Sequence, residues 1–225
     1  MKTFYRLFYL CLIINGAGAL STVLAADPNQ QLSAGRLKAD QVCANCHGLD
    51  GRAAAGGNSA MSPSLTAQPR AYLVARLNDY RAGKREHAQM TFIAKMISEQ
   101  DIENVALWYS SLKMSIIEMP AEPELTAQGE ANTVLAVEAA TNKRRQVCSN
   151  CHGMDGQAVL TAGPNIAPHL TGQQQGYLVA RLEAYRSGKI QHPLMSPVAQ
   201  GLSDQEIQLL ADWYSSIKIE VDILD

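Results

Sequence analysis

Apolar positions fall at the spacing of amphipathic helices, and the pattern occurs twice along the chain. Tyr72 to Arg81 sets Tyr, Leu and Val at helical intervals with Arg76 expected to point outward. Tyr177 to Arg186 repeats this with Arg181. Gly83 and Gly188 follow as natural helix stops. Ser98-Glu99-Gln100-Asp101 and Ser203-Asp204-Gln205-Glu206 read as Ser caps with acids in the first turn. They open final helices expected to run to about Leu112 and Ile217. Ser33 is expected to cap a first helix ending at His47, with a weaker counterpart before Cys148. Gly-rich loops fill Gly51 to Pro63 and Gly156 to Pro168. No alternating strand pattern of any length is visible, so the expected fold class is all-α.

The two blocks are one repeat. An offset of 105 pairs Gln41-Val42-Cys43 with Gln146-Val147-Cys148, and Tyr72-Leu73-Val74-Ala75-Arg76-Leu77 with Tyr177 to Leu182. Trp108-Tyr109-Ser110-Ser111 returns as Trp213-Tyr214-Ser215-Ser216. Two tandem domains are expected, 26–119 and 120–225. The proline-rich, acidic run Met119-Pro120-Ala121-Glu122-Pro123-Glu124 lies at their boundary. Domains of roughly 100 residues are small for an independent core, so a large apolar group at the centre of each would help to fill it.

Residues 1–25 read as a signal peptide. Lys2 and Arg6 supply a positive start, Leu7 to Leu24 is mostly apolar and uncharged, and Val23-Leu24-Ala25 suits cleavage before Ala26. Asn15-Gly16-Ala17-Gly18 weakens the alternative of a retained membrane anchor, which stays open. Cys11 falls inside this segment and would be lost with it.

Charge adds a bias. The full chain has a formal net charge of −2. Residues 27–120 carry 10 basic and 9 acidic side chains, whereas residues 121–225 carry 7 and 12. Such an uneven field can orient a partner and speed encounter. There is no basic stripe, and the negative balance argues against a nucleic-acid partner.

The chemistry is concentrated in Cys43-Ala44-Asn45-Cys46-His47 and Cys148-Ser149-Asn150-Cys151-His152. C-x-x-C-H is the signature of covalent c-type haem attachment. On a helix, positions i, i+3 and i+4 share a face. Two thiols can therefore add to the haem vinyl groups while the imidazole becomes the proximal iron ligand. A thioredoxin-like C-x-x-C would follow a strand and need no His, and no strand run precedes either motif. A zinc site built from two C-x-x-C pairs would leave both histidines unexplained. With four cysteines in the motifs and Cys11 in the signal, none is left for a disulfide. For the sixth iron position the offset pairs Met90 with Met195, each between the second helix and the last. It also pairs His87 with His192, so residues alone leave Met or His ligation open. Met96 is matched by Gly201 and is disfavoured.

These features resemble the di-haem cytochrome c4 family: an export signal followed by two class I cytochrome c domains. The resemblance spans the mature chain. It is carried by both C-x-x-C-H motifs, Pro63-Ser64-Leu65, Pro168-His169-Leu170-Thr171-Gly172-Gln173, Tyr72-Leu73 and Tyr177-Leu178. Met195-Ser196-Pro197-Val198-Ala199 leading into Leu202-Ser203-Asp204-Gln205-Glu206 adds to it. It implies two covalent haem c groups held by Cys43, Cys46, Cys148 and Cys151. The implied iron ligands are His47 and Met90 in the first domain and His152 and Met195 in the second. It further implies that the Pro63 and Pro168 carbonyls accept from the proximal imidazoles. The implied role is a periplasmic electron carrier and not an enzyme, passing electrons from a quinol-oxidising complex or dehydrogenase to a terminal oxidase or reductase. A haem subunit of a larger dehydrogenase such as a flavocytochrome is the alternative, with a di-haem peroxidase further off. Membrane association would come through partners or an uncleaved signal. The chain departs from the family pattern in the looser match around Met90-Thr91-Phe92-Ile93. It departs again in the charged stretch before the second motif, Lys143-Arg144-Arg145 above all.

Overall fold

A computed structural model describes residues 27–53, 62–121, 131–163 and 166–223. The expected signal peptide lies outside these residues, as do most of the loop between Gly51 and Pro63 and the acidic run from 122.

Helix α1 spans Pro28–Lys38. Its cap is Asp27, whose carboxylate accepts from the Asn29 N–H at 2.9 Å, and Pro28 supplies the first helical position. The expected cap, Ser33, instead sits inside the helix and returns its hydroxyl to the Asn29 carbonyl. The helix does not run on regularly to His47. A π turn at Ala39–Cys43 intervenes before the short α2, Ala44–His47. The second half repeats the device with α6 (Ala131–Lys143), a π turn at Arg144–Cys148 and α7 (Ser149–His152). The wider turn re-aims everything after it, which is why such bulges cluster at functional sites.

Helices α3 (Arg70–Arg81) and α8 (Gln175–Arg186) follow the loops, and α4 (Ala88–Met96) and α9 (Met195–Gln200) come next. The last helices, α5 (Glu99–Ser111) and α10 (Asp204–Ser215), open on reciprocal capping boxes, Ser98 with Asp101 and Ser203 with Glu206. In the first half α1 packs on α5, and Ala39, Leu73, Ala106, Trp108, Tyr109 and Leu112 form the buried core. The second half is built on Leu178, Leu210, Ala211, Trp213, Tyr214 and Ile217.

One element was not expected. β1 (Lys113–Glu118) and β2 (Lys218–Asp222) form an antiparallel ribbon that joins the end of one half to the end of the other. Ile116 pairs with Ile219 and Lys113 with Asp222, with an irregularity between Ile116 and Glu118. Lys218-Ile219-Glu220-Val221-Asp222 does alternate, but five residues are too short to stand out from a helix tail. The partner strand, about 100 residues away, is what makes it a strand.

Helices α3 and α8 bring their aromatic and basic side chains to the junction of the halves. Arg85 donates to the Tyr177 hydroxyl at 2.7 Å. Arg76 lies over the Tyr72 ring and Arg181 over Tyr177, at 5.5 and 5.9 Å from the centroids. Both arginines are half-buried, so the outward orientation expected from periodicity does not hold. Burial, reinforced by Tyr177 nearby, raises the Tyr72 phenol above its ordinary range. Among the described residues no helix is long and apolar enough to cross a membrane.

Candidate functional site

Each C-x-x-C-H pentapeptide ends α2 or α7, where Gly48 and Gly153 take φ of 76° and turn the chain away from the helix. The left-handed φ is what requires glycine at Gly48; a Cβ there would also press on the Asp50 carboxylate, which can swing aside. In the first half the loop beyond is pinned from α5. The Trp108 indole donates to the Leu49 carbonyl at 3.1 Å and the Tyr109 hydroxyl to the Gly48 carbonyl at 3.0 Å. In the second half the Arg144 guanidinium stacks 3.8 Å from the centroid of the Trp213 ring. Lys143 pairs with Glu206 at 2.7 Å. Part of the basic run before the second motif is therefore structural, not a free docking patch.

His47 and His152 are buried, each 7% exposed. Their Nδ1 atoms lie 2.9 Å from the Pro63 and Pro168 carbonyls. A carbonyl can only accept, so Nδ1 carries the proton and Nε2 keeps a free lone pair. Burial lowers the pKa of both imidazoles, against the raising effect of those carbonyls, and His87 adds to the lowering at His47. A neutral imidazole with Nε2 free is the form that binds a metal. Burial pushes the Cys43 thiol up to about 11 and also raises Cys148. Neither is a standing thiolate. All four motif cysteines are free of disulfides.

Met90 sits in the first turn of α4 and Met195 opens α9, both half-buried. Two arginines on equivalent positions hold these segments. Arg81 donates to the Ala94 and Ile97 carbonyls at 2.9 and 2.6 Å, and Arg186 to the Leu202 carbonyl at 3.1 Å. Gln89, next to Met90, reaches the Cys46 sulfur at 3.8 Å, which places the start of α4 beside the first motif. His87 and His192 act as local caps. The His87 Nδ1 accepts from the Met90 N–H, and the His192 Nδ1 from the Met195 N–H, both at 3.2 Å. Each also stacks edge-on against a tyrosine, Tyr80 or Tyr185.

The donor set fits a covalently held haem in each half: two thiols and a neutral buried imidazole with Nε2 unused. A second observation agrees. The Nε atoms of Arg76, Arg85 and Arg181 are buried without a hydrogen-bond partner among the described residues. A buried guanidinium N–H left unmade is costly, and an acidic group such as a haem propionate would satisfy it.

Sequence reasoning missed Gln68 and Gln173, which are 3% and 4% exposed. Gln173 accepts from the Ser64 N–H at 2.6 Å and donates to the Ser64 carbonyl at 3.1 Å. Gln68 treats His169 in the same way, at 2.9 Å for both bonds. The 105 offset relates the two glutamines, and Gln173 closes the Pro168–Gln173 run that carries the family resemblance, but neither signal shows that the two halves bury them against each other.

Comparison with known proteins agrees with this geometry. The family model for cytochrome c matches residues 32–113 and 140–218. Cytochrome c4 of Pseudomonas aeruginosa is 32% identical over 82% of this chain and 88% of its own. A thiosulfate dehydrogenase electron acceptor of Stutzerimonas stutzeri is 31% identical over 81% and 82%. Among solved structures, reduced cytochrome c4 from Pseudomonas stutzeri superposes with a TM-score of 0.65 at 28% identity, covering 83% of this chain and 98% of that one. A thiosulfate dehydrogenase from Marichromatium purpuratum gives 0.61 at 26% identity, covering 82% of this chain and 40% of that one.

Proposed function

This chain belongs to the cytochrome c family, in its di-haem cytochrome c4 branch, and on that premise we propose that it is a periplasmic single-electron carrier and not an enzyme. Two covalent haem c groups, attached through Cys43 and Cys46 and through Cys148 and Cys151, supply a one-electron iron couple. In this reading His47 and His152 would ligate the two irons through Nε2, and Met90 and Met195 would supply the remaining thioether ligands. The observation that carries it is the duplicated arrangement: a neutral buried histidine in each half, with a methionine in the first turn of the second helix after it, α4 or α9.

The chain's own residues do three things. The Pro63 and Pro168 carbonyls fix each imidazole's tautomer and orientation. Arg81 and Arg186 hold the methionine segments in place. The apolar cores keep water from the sites, which limits the reorganisation that each electron transfer demands. Thioether ligation favours reduced iron and raises the potential, suiting a carrier between a quinol-oxidising complex or dehydrogenase and a terminal oxidase or reductase. Relatives named as thiosulfate dehydrogenase electron acceptors support a dehydrogenase as one donor class.

Optical spectra of the purified protein in both redox states, with a redox titration, test this. The expected result is two low-spin haems with positive potentials and a sulfur-to-iron band in the oxidised state. A high-spin haem, or a potential well below zero, would count against it.

A second reading, a haem subunit of a larger dehydrogenase, draws on the thiosulfate dehydrogenase structure, of whose chain the likeness covers 40%. A partner subunit co-purifying in fixed ratio would favour it over the free carrier.

A further inference from the structure

We infer that Gln68 and Gln173 are positioning residues through which each domain tunes the haem of the other. The inference rests on the reading of His47 and His152 as proximal ligands. The carbonyl that accepts from His47 and the N–H that donates to Gln173 belong to one peptide group, the one joining Pro63 to Ser64. The result is a continuous relay. His47 Nδ1–H donates to the Pro63 oxygen at 2.9 Å, and the Ser64 N–H on the same peptide donates to Gln173 Oε1 at 2.6 Å. The second relay mirrors it across the junction. His152 donates to the Pro168 oxygen at 2.9 Å, and the His169 N–H donates to Gln68 Oε1 at 2.9 Å.

The orientation of each amide follows from its partners. Ser64 and His169 offer an N–H and a carbonyl, so the glutamine must present its oxygen to the first and its NH2 to the second. Both side chains are almost wholly buried, and water does not compete for these bonds. Hydrogen bonds that share a polarisable group strengthen one another. An amide whose N–H is engaged by a good acceptor carries more negative charge on its own oxygen. That oxygen pulls harder on the histidine Nδ1–H, and the ring becomes a stronger donor to iron. Stronger donation favours the ferric state and lowers the potential. The glutamine responsible lies in the other domain.

The arrangement predicts crossed effects. Gln173→Met keeps the side chain's length and removes both bonds to Ser64, along with the one that Oε1 accepts from the Gln174 N–H at 3.0 Å, so the first-domain haem rises in potential while the second stays. Gln173→Glu keeps the acceptor at the Ser64 N–H and loses the donor to the Ser64 carbonyl, so it is read across a pH series: the first-domain haem falls once the buried carboxyl ionises. Gln68→Met and Gln68→Glu give the same signs at the second-domain haem.

The test is a potentiometric titration of the full-length holoprotein, followed optically, in a Met195→His background. Histidine in place of the thioether lowers the second haem and separates the two waves. The Gln68 variants are titrated with Met90→His instead. Nitrogen-15 labelled histidine adds a readout that a purely structural role would not move: the Nδ1–H resonance of His47 shifts in Gln173→Met while that of His152 holds. Crossed shifts of opposite sign for Met and Glu support the inference. Unmoved potentials, equal shifts at both haems, or the same sign for Met and Glu overturn it. If Met195→His leaves both waves in place, Met195 is not an iron ligand, and the nitrogen-15 readout on His47 and His152, which needs no separated waves, decides the inference. Should Gln173→Met fail to accumulate, Gln68→Met and the near-isosteric Glu variants carry the same test.

Discussion

The Arg85 guanidinium crosses the junction of the two domains and donates to the Tyr177 hydroxyl at 2.7 Å. It also lies 5.0 Å from the Tyr80 ring centroid and is 8% exposed. The repeat partner of Arg85 is Ile190, so this contact exists on one side of the junction only. The guanidinium carries its charge at any accessible pH, and the bond to the Tyr177 hydroxyl offsets part of the cost of burying it. Replacing Arg85 with Leu is expected to destabilise the holoprotein by about 1.5–3 kcal/mol, the range for a hydrogen bond to a charged group. Tyr177→Phe should cost less. A double-mutant cycle in denaturant should show the two to be coupled, and full additivity would mean that the contact contributes nothing.

Gly35 is where α1 meets α5. A Cβ there would stand 2.1 Å from the Asn104 carbonyl oxygen, which is backbone and cannot swing away. Gly35→Ala is expected to cost about 1–3 kcal/mol, as over-packing does. The equivalent residue in the second half is Ala140, 4% exposed, so that helix pair already accommodates a methyl group. Ala140→Gly should cost only about 1 kcal/mol. Thermal unfolding of the two variants side by side measures the difference.

Acid should weaken the cap of α10. Burial raises the Glu206 pKa, but Lys143 and the Ser203 N–H and hydroxyl outweigh it and hold the carboxyl below its ordinary value. A folded pKa below the unfolded one stabilises the protein above the ordinary carboxylate range. That contribution is lost as pH falls through the folded value. Asp101 at the α5 cap behaves alike, through Ser98 and Lys38. Glu206→Gln is therefore expected to lower stability near neutral pH by about 1 kcal/mol and to flatten its decline in acid. A melting series from neutral pH downward reads both, and an unchanged acid limb would remove Glu206 from the account.

Haem content should be separable by half. Cys43→Ala with Cys46→Ala is expected to halve the covalent haem per chain, leaving the second domain loaded, as measured by haem absorbance against protein. Met90→Ala and Met195→Ala should each retain both covalent haems and lose the sulfur-to-iron band from one of them. If either variant kept the full band, its methionine would not be an iron ligand.

Much of this protein is decided within single turns of chain, and that part is legible from the sequence. The C-x-x-C-H motifs carry their chemistry in five consecutive residues, the capping boxes of Ser98 and Ser203 in four, and the helix stops at Gly83 and Gly188 in one. The 105-residue repeat then doubles every local signal. Local signals also misled at the start of the first helix. Ser33 is as good a cap by residue type as Asp27, but Pro28 fits only the first position of a helix, and the structure starts there.

Tertiary structure alone decided which faces meet. Arg76 and Arg181 read as outward from periodicity, yet the domain junction covers them, because half of a helix surface can be buried by an element that periodicity does not see. The β1–β2 ribbon pairs residues about 100 positions apart, and neither strand has a partner in its own neighbourhood. Gln68 and Gln173 look like ordinary loop residues until the two halves pack and remove them from water. A buried amide must then find partners, and those it finds sit on the peptides that support the proximal histidines of the opposite domain. Sequence determined that there are two haem sites and what chemistry each holds; the packing of the halves decided how one site is coupled to the other.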